Sequence, residues 1–187
     1  MTTKLEAINT MLSCIGQAPL NTLEGIKSYF TVSAENILDS EVKRFQLQGW
    51  DFNSEDNYTL RPDVNNIIQV PEDVIMIKYP TLYKNRYVVR EGKLYDKFKH
   101  TYEIDKPLRV SIVFCYEFEA LPEVAKVYAM MAAANKFVKR ELGSEAAYQY
   151  TQEDLYEARV ALEQHELEIG EYTMIPQMYD GRVKEWI

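Results

Sequence analysis

Residues 108–116 read LRVSIVFCY, and residues 122–134, a few positions further on, read PEVAKVYAMMAAA. The first stretch is rich in β-branched and aromatic residues, which is typical of a strand. The second begins with a proline, a residue favoured in the first turn of a helix, and then carries apolar residues at helical spacing. Because a strand pattern gives way to a helix pattern within one short region, the sequence predicts an α+β fold. The predicted apolar stripe of the helix consists of Val124, Val127, Tyr128, Met131, Ala134 and Val138.

Upstream of this strand, from about residue 57 to residue 117, the chain has the pattern of a small antiparallel sheet. Short β-branched segments are interrupted by prolines, which sheets tolerate at their edges and ends. Residues 87–95 predict a hairpin that turns at Glu91 and Gly92. Other extended segments are expected at 58–60, 66–70 and 74–78. We therefore expect a small sheet inserted between helices.

Two helices are predicted before the insert. Thr3 and Glu6 have the spacing of a capping box, which places the first helix at about 3–15. The second helix is expected at about 33–48, with Ser33 at its start. Its predicted buried face consists of Ala34, Ile37, Leu38, Val42 and Phe45.

Two more helices are predicted after the insert, at about 122–142 and 144–169. The alanines at 132–134 would allow a close helix contact because their side chains are small. The predicted buried face of the fourth helix consists of Leu155, Ala158, Leu162 and Ile169. The sequence thus predicts a bundle of about four helices with an inserted sheet, within one domain at 1–170.

Residues 171–187 have no helical or strand period, yet they contain many apolar side chains. Such a segment is typical of an extended arm that docks on another surface, although it can also pack on its own domain. We interpret it as a C-terminal docking arm. Its candidate contact residues are Tyr172, Met174, Ile175, Met178, Tyr179, Trp186 and Ile187.

The negative charge is concentrated in one segment. The chain has a net charge of −8, and residues 141–171 contain nine acidic residues and one basic residue, Arg159. The remainder has equal numbers of acidic and basic residues. Duplex DNA is bound through Lys and Arg clusters, so tight DNA binding is not expected. With no basic and aromatic patch evident in the sequence, a DNA-binding regulator is also disfavoured.

The composition is ordinary for a soluble protein of one domain, with 47% hydrophobic and 27% charged residues. No apolar run is long enough to cross a bilayer, and the N-terminus lacks a secretory signal, so we expect a cytoplasmic chain without membrane contact.

Cys14 and Cys115 are interpreted as small core residues. The 14 tyrosines suit half-buried core positions as well as surfaces that meet other surfaces.

The sequence contains none of the common motifs of hydrolases, nucleotide-binding enzymes or zinc proteases. His100 lies in a polar linker and His165 among glutamates, and neither has an evident partner for a metal site or a catalytic triad. Paired carboxylates can hydrolyse glycosidic bonds, but so acidic a chain contains such pairs by chance. We therefore predict no catalytic activity, no metal and no cofactor.

Several short blocks occur in a recognisable order, and they are LSCIGQAPL at 12–20, TLEG at 22–25, GWDFN at 49–53, TLRPD at 59–63, YD at 95–96, LPE at 121–123 and GEY at 170–172. In this order the chain resembles the tail tubular protein A family, the head-to-tail adaptors of T7-like short-tailed phages. The resemblance spans about residues 5–175.

The resemblance implies a structural protein without catalysis. It implies a dodecameric ring between the portal protein and the tail nozzle, which is formed by tail tubular protein B, with tail fibres attached near their junction. DNA would pass through the ring without tight binding. The chain would belong to the virion tail and be assembled in the bacterial host cytoplasm.

Two hypotheses about residues follow from this reading. The acidic fourth helix could face the lumen of the ring through Glu157, Glu163 and Glu166, because like charge prevents DNA from sticking, or it could face the outer solvent. The arm from Tyr172 to Ile187 is predicted to contact the portal or a neighbouring subunit. The alternative function is a tail-associated hydrolase that acts on cell-wall or capsular polysaccharide.

Overall fold

The computed structural model describes residues 1–143 and 145–169, with side chains for all of these except 145–151. This part of the chain has the expected α+β fold, with antiparallel strands inserted between the second and third helices. The helices are α1 (Lys4–Cys14), α2 (Tyr29–Gln46), α3 (Glu123–Glu141) and α4 (Glu145–Ile169). The strands are β1 (Ser54–Leu60), β2 (Val74–Lys78), β3 (Tyr87–Arg90), β4 (Lys93–Asp96) and β5 (Leu108–Phe114).

The helices pack around α3, which contacts α1, α2 and α4. The three alanines at 132–134 are buried, as a close helix contact requires. The predicted stripe of α3 faces the core but is incomplete: Val124, Val127 and Met131 are half-buried against it, while Ala129 and Phe137, outside the predicted stripe, are fully buried. Since three helices cover α3, its buried surface is wider than the single stripe that an amphipathic pattern describes.

The first helix begins as predicted. The hydroxyl of Thr3 accepts a hydrogen bond from the N–H of Glu6 at 3.2 Å, and the carboxylate of Glu6 accepts one from the N–H of Thr3 at 2.8 Å. This reciprocal pair satisfies two N–H groups that have no partner within the helix.

The second helix begins at Tyr29, so the predicted start at Ser33 was wrong. Ser28 caps the helix, because its hydroxyl accepts a hydrogen bond from the N–H of Thr31 at 3.2 Å. Ser33 instead lies buried within the helix, where its hydroxyl donates to the Glu141 carboxylate of α3 at 2.8 Å. The five apolar residues predicted for the buried face are all buried.

Strand β5 lies in the middle of a three-stranded antiparallel sheet with the order β1-β5-β2. Its side chains at Leu108, Val110 and Ile112 are buried in a second, smaller core. β1 begins at Ser54, ahead of the expected start of the insert, and its register shifts next to Asn57, which has a φ of 60°. This irregularity, with polar residues around it, hid the beginning of the strand from the sequence pattern.

Strands β3 and β4 form the predicted hairpin. Glu91 and Gly92 have φ values of 50° and 70°, the positive values that a type I′ turn requires at both central positions. Residues 66–70, by contrast, form single bridges and not the expected strand. Asn66 has a φ of 60° in a turn where the Asp63 carboxylate accepts hydrogen bonds from nearby N–H groups.

Two buried polar side chains join the helical layer to the sheet. The amide of Gln46, at the end of α2, exchanges hydrogen bonds with the backbone of Tyr116 at 2.8 and 2.9 Å. The amide of Asn53 donates to the carbonyl oxygens of Gln46 and Phe114 at 3.0 and 2.8 Å. These bonds fix the end of α2 against the end of β5.

Three smaller predictions were wrong. Cys14 and Cys115 are free and only half-buried, because each lies at the margin of its layer and not within a core. Ile169 is 48% exposed, since Leu162 is the last buried residue that the structure describes in α4. The final turns of α4 therefore extend past the core.

Candidate assembly surfaces

The residues predicted for the C-terminal arm lie outside the described residues. The described helix α4 ends at Ile169, immediately before this segment. The prediction that Tyr172 to Ile187 form a contact surface therefore stays a prediction.

The three glutamates predicted to face a lumen lie in different environments. Glu157 is exposed. Glu163 is also exposed, and its carboxylate accepts a hydrogen bond from the guanidinium of Arg159 at 2.8 Å. Glu166 is half-buried, and its carboxylate accepts a hydrogen bond from the N–H of Asp51 at 2.7 Å. Glu166 thus ties α4 to its own domain, while the other two present their side chains to solvent.

One side of α4 combines acidic and aromatic side chains. Glu153 and Glu157 are one helical turn apart on the side opposite the buried Leu162. Tyr156, between them in sequence, is 70% exposed. An open cavity of about 440 Å³ is lined by these three residues and Gln152. We call Glu153, Tyr156 and Glu157 the acidic face.

A basic surface lies on the hairpin of the insert. Residues 84–99 contain six basic and two acidic residues, although the chain as a whole is acidic. Lys97, Phe98 and Lys99 follow β4 and are all exposed, and the Phe98 ring is 70% exposed. We call residues 97–99 the basic turn. The basic turn was not predicted from the sequence, because the charge outside 141–171 was summed as a whole and came to zero. A separate charge count over 84–99 would have revealed it.

A buried carboxylate holds the basic turn in place. One oxygen of Asp96 accepts hydrogen bonds from the N–H groups of Phe98 and Lys99 at 2.9 and 3.1 Å. The other accepts two from the Arg86 guanidinium at 2.9 and 2.8 Å. Burial alone would raise the pKa of Asp96, but the hydrogen bonds from Arg86 and from the two N–H groups hold this pKa below its ordinary value. The carboxylate is therefore ionised at neutral pH.

A second cation of the hairpin is fixed by aromatic rings. The guanidinium of Arg90 lies 4.2 Å from the centre of the Tyr95 ring, within the range of a cation–π contact. Tyr95 in turn packs edge-on against Tyr102, with 4.9 Å between ring centres. The hairpin therefore presents its positive charges on a backbone and a ring system that are already ordered.

The comparison with known proteins agrees with the order of motifs in the sequence. The family described as tail tubular protein matches residues 5–172, which include almost all of the described helices and strands. The chain belongs to the tail tubular protein family. It is also similar to tail tubular protein A of Klebsiella phage KP34, with 25% identity over 163 residues, or 87% of this chain and 86% of that protein. This tail tubular protein is therefore a structural component of a phage tail, and so of the virion.

The residues considered for chemistry lie apart in this tail tubular protein. His100 is exposed on the insert, where its φ is 53°, and His165 is half-buried on α4. Within 1–143 and 145–169, no three His, Cys, Asp or Glu side chains form a group that could hold a metal ion. Across the same residues, no helix has the length and apolar character to cross a lipid bilayer.

Proposed function

We propose that this tail tubular protein is the head-to-tail adaptor of a short-tailed phage. Twelve copies form a ring between the portal protein and the nozzle of tail tubular protein B, assembled in the host cytoplasm. Tail fibres attach near the junction, and DNA passes through the ring during ejection. The observation that carries the proposal is the family match over residues 5–172, together with the similarity to a protein named tail tubular protein A.

The two charged surfaces support the proposal. A ring closes through heterologous contacts, so each subunit needs two different surfaces that fit one another. The acidic face belongs to the helical layer, and the basic turn belongs to the insert. A chain with two unlike surfaces on separate layers is suited to head-to-tail assembly.

The proposal includes a channel lined in part by the acidic helix α4. Of the three glutamates predicted there, Glu157 and Glu163 are exposed, whereas Glu166 is engaged with the N–H of Asp51. Negative charge along a channel repels the DNA phosphates and so prevents retention.

Exchange of Glu163 for lysine tests the channel, with Glu24→Lys, an exposed change far along the chain, as the control. We expect slower DNA ejection for Glu163→Lys only. Unchanged DNA retention and ejection would remove α4 from the channel.

The arm of residues 171–187 is proposed to contact the portal or a neighbouring subunit. A chain cut after Gly170 should bind the portal more weakly than the full chain. A full-length variant with Met174→Ser, Met178→Ser and Trp186→Ser should show the same loss if apolar contacts carry the docking. Equal assembly of the cut and the full chain would show that the arm is dispensable. The matched control changes three polar residues of the arm, namely Thr173, Gln177 and Lys184, to alanine.

The deciding experiment is the mass of the complex formed when the purified protein is mixed with the portal ring of its own phage. A gain close to one subunit per portal chain is the expected result. No gain would contradict the adaptor function, and the protein would then be assayed on cell-wall and capsular polysaccharides.

A further inference from the structure

Two surfaces of this chain have the same composition with opposite charge. On α4, the exposed ring of Tyr156 lies beside the exposed carboxylates of Glu153 and Glu157. On the insert, the exposed ring of Phe98 lies between Lys97 and Lys99. Each surface therefore presents one aromatic ring with two like charges.

Within a single chain the two surfaces lie on different elements, and these elements pack against different neighbours. α4 packs against α3, and the hairpin packs on the smaller core through Tyr87 and Leu94. Two ion pairs beside these surfaces are internal to their elements: Arg159 pairs with Glu163 on α4, and Arg86 pairs with Asp96 on the hairpin. Both surfaces are thus exposed for contact with a partner.

We propose that the basic turn of one copy docks on the acidic face of α4 in the neighbouring copy, a contact that rests on the proposed ring. Lys97 and Lys99 pair with Glu153 and Glu157, and the ring of Phe98 packs against that of Tyr156. Opposite charges steer the two copies and fix their register, and the two rings bury apolar surface between them. Because the two surfaces differ, the contact is heterologous and can be repeated around a closed ring.

A second copy fits the basic turn better than duplex DNA does. Phosphates would attract the two lysines, but a duplex keeps its bases stacked and offers no aromatic face to Phe98. The acidic face supplies both the carboxylates and an exposed ring. The acidic face belongs to residues 141–171, and this segment accounts for the whole net charge of −8. Its negative charge repels DNA from the same molecule.

The basic turn is ordered before the contact forms. Asp96 binds the N–H groups of Phe98 and Lys99, so the backbone that carries all three side chains is already fixed. A surface that is ordered in advance loses less conformational entropy on binding.

The contact changes the role of one residue that was expected to face the channel. Glu157 lies at the boundary between copies, and Glu163 lies about 120° from it around α4 but only about 20° from Tyr156, two turns further along the helix. The carbodiimide links described below, and not Glu163→Lys, therefore identify the carboxylates at the boundary.

Charge exchange in the full chain tests the contact. We expect Lys97→Glu with Lys99→Glu to weaken ring assembly on the portal roughly tenfold, and Glu153→Lys with Glu157→Lys to do the same. The chain that carries all four changes should recover to within roughly threefold of the wild type, because every pair is restored in reverse. Lys106→Glu with Arg109→Glu, an exposed pair elsewhere in the insert, is the control for net charge.

A second measurement identifies the partners directly. Rings built from an equal mixture of light and nitrogen-15 chains are treated with a carbodiimide, which joins a lysine to a carboxylate without a spacer. Links between light and heavy peptides are expected to join Lys97 or Lys99 to Glu153 or Glu157.

The outcomes separate this contact from the proposed function. If the wild type forms portal-bound rings but the exchanges have no effect, or the combined variant does not recover, the contact is wrong and the adaptor function stands. An equal loss of ring assembly in the Lys106→Glu and Arg109→Glu control also overturns the proposed contact, since the change in net charge alone then explains the result. If the wild type adds no mass to the portal, the adaptor function fails and this contact fails with it.

Discussion

The acidic helix α4 and the hairpin of β3 and β4 are attached to the domain in different ways. Among its described side chains, α4 buries Ala158 and Leu162, and one further bond joins Glu166 to the backbone of Asp51. The hairpin is joined to neighbouring segments by several backbone hydrogen bonds and contains the buried carboxylate of Asp96. One element is held chiefly by apolar packing, and the other by directional bonds.

This difference affects what each surface can do. Apolar packing tolerates small rotations, whereas a network of hydrogen bonds defines one geometry. The hairpin therefore presents its charges in a fixed arrangement, and α4 presents a long charged surface whose position depends on a few buried side chains.

Replacement of Leu162 by alanine should have the largest effect. Its side chain is fully buried between α4 and the helical core, so the substitution removes apolar contacts and leaves a cavity. We expect the free energy of unfolding to fall by about 2–5 kcal/mol, measured by urea denaturation followed by circular dichroism. Leu167→Ala, at a side chain that is 59% exposed, should change it by less than about 0.5 kcal/mol. Similar losses in the two variants would show that packing at Leu162 does not hold α4.

Replacement of Asp96 by asparagine should lower the free energy of unfolding by a smaller amount. Its effect should arise in the hairpin and not in α4. The change leaves Arg86 without its charged partner and weakens the bonds to the backbone of the basic turn. Because Arg86 is partly exposed and can be solvated, we expect a loss of about 2–3 kcal/mol. Hydrogen exchange at the N–H groups of Phe98 and Lys99 should become faster. Asp105→Asn, at an exposed carboxylate of the same insert, should leave both measurements nearly unchanged.

The effect of Asp96 should depend on pH. The pKa of Asp96 lies below its ordinary value of 3.8 in the folded protein, so above pH 3.8 the carboxylate is ionised in both states and its contribution is fully present. As the pH falls from 3.8 through the folded pKa, the unfolded chain binds a proton that the folded chain does not, and stability is lost. The difference in unfolding free energy between wild type and Asp96→Asn should therefore narrow below pH 3.8. If the difference in unfolding free energy between the wild type and Asp96→Asn stays constant at lower pH, the ionised Asp96 carboxylate does not stabilise the fold.

The smallest effect is expected at Glu166. Its carboxylate accepts the N–H of Asp51, so Glu166→Ala removes one charge-assisted hydrogen bond, worth about 1–2 kcal/mol at a half-buried position. Exchange of the Asp51 amide should become faster, while amides of α1 should not change. Glu168→Ala, at an exposed residue of the same helix, is the matched control. No change at the Asp51 amide would mean that α4 is held by packing alone.

Features with a strong local signal could be predicted from the sequence. The capping box at Thr3 and Glu6 and the hairpin turn at Glu91 and Gly92 depend only on residues that are neighbours in the chain. The buried face of α2 follows from periodic spacing, and β5 follows from its β-branched composition. In each case the physical cause lies within a few consecutive residues.

Other features depended on partners that are distant in sequence. Ser28 and Ser33 are equally suited to cap a helix, and the decision between them involves Glu141 on α3, to which Ser33 donates. Because Asp96 and Arg86 neutralise each other, the remaining basic residues of the hairpin give it an excess of positive charge. A charge sum over the whole chain conceals this local excess.

The sequence by itself determined the α+β class, the approximate positions of the helices apart from the start of α2, the hairpin, the acidic character of α4 and the resemblance that the family match then supported. These properties are fixed by composition, by period and by the order of short motifs. Only the tertiary structure decided that Glu166 turns inward to Asp51, that α3 is covered by three helices, and that the basic turn is ordered by a buried carboxylate. Burial and hydrogen bonding between distant segments depend on how the layers pack, and no local pattern in the chain encodes that arrangement.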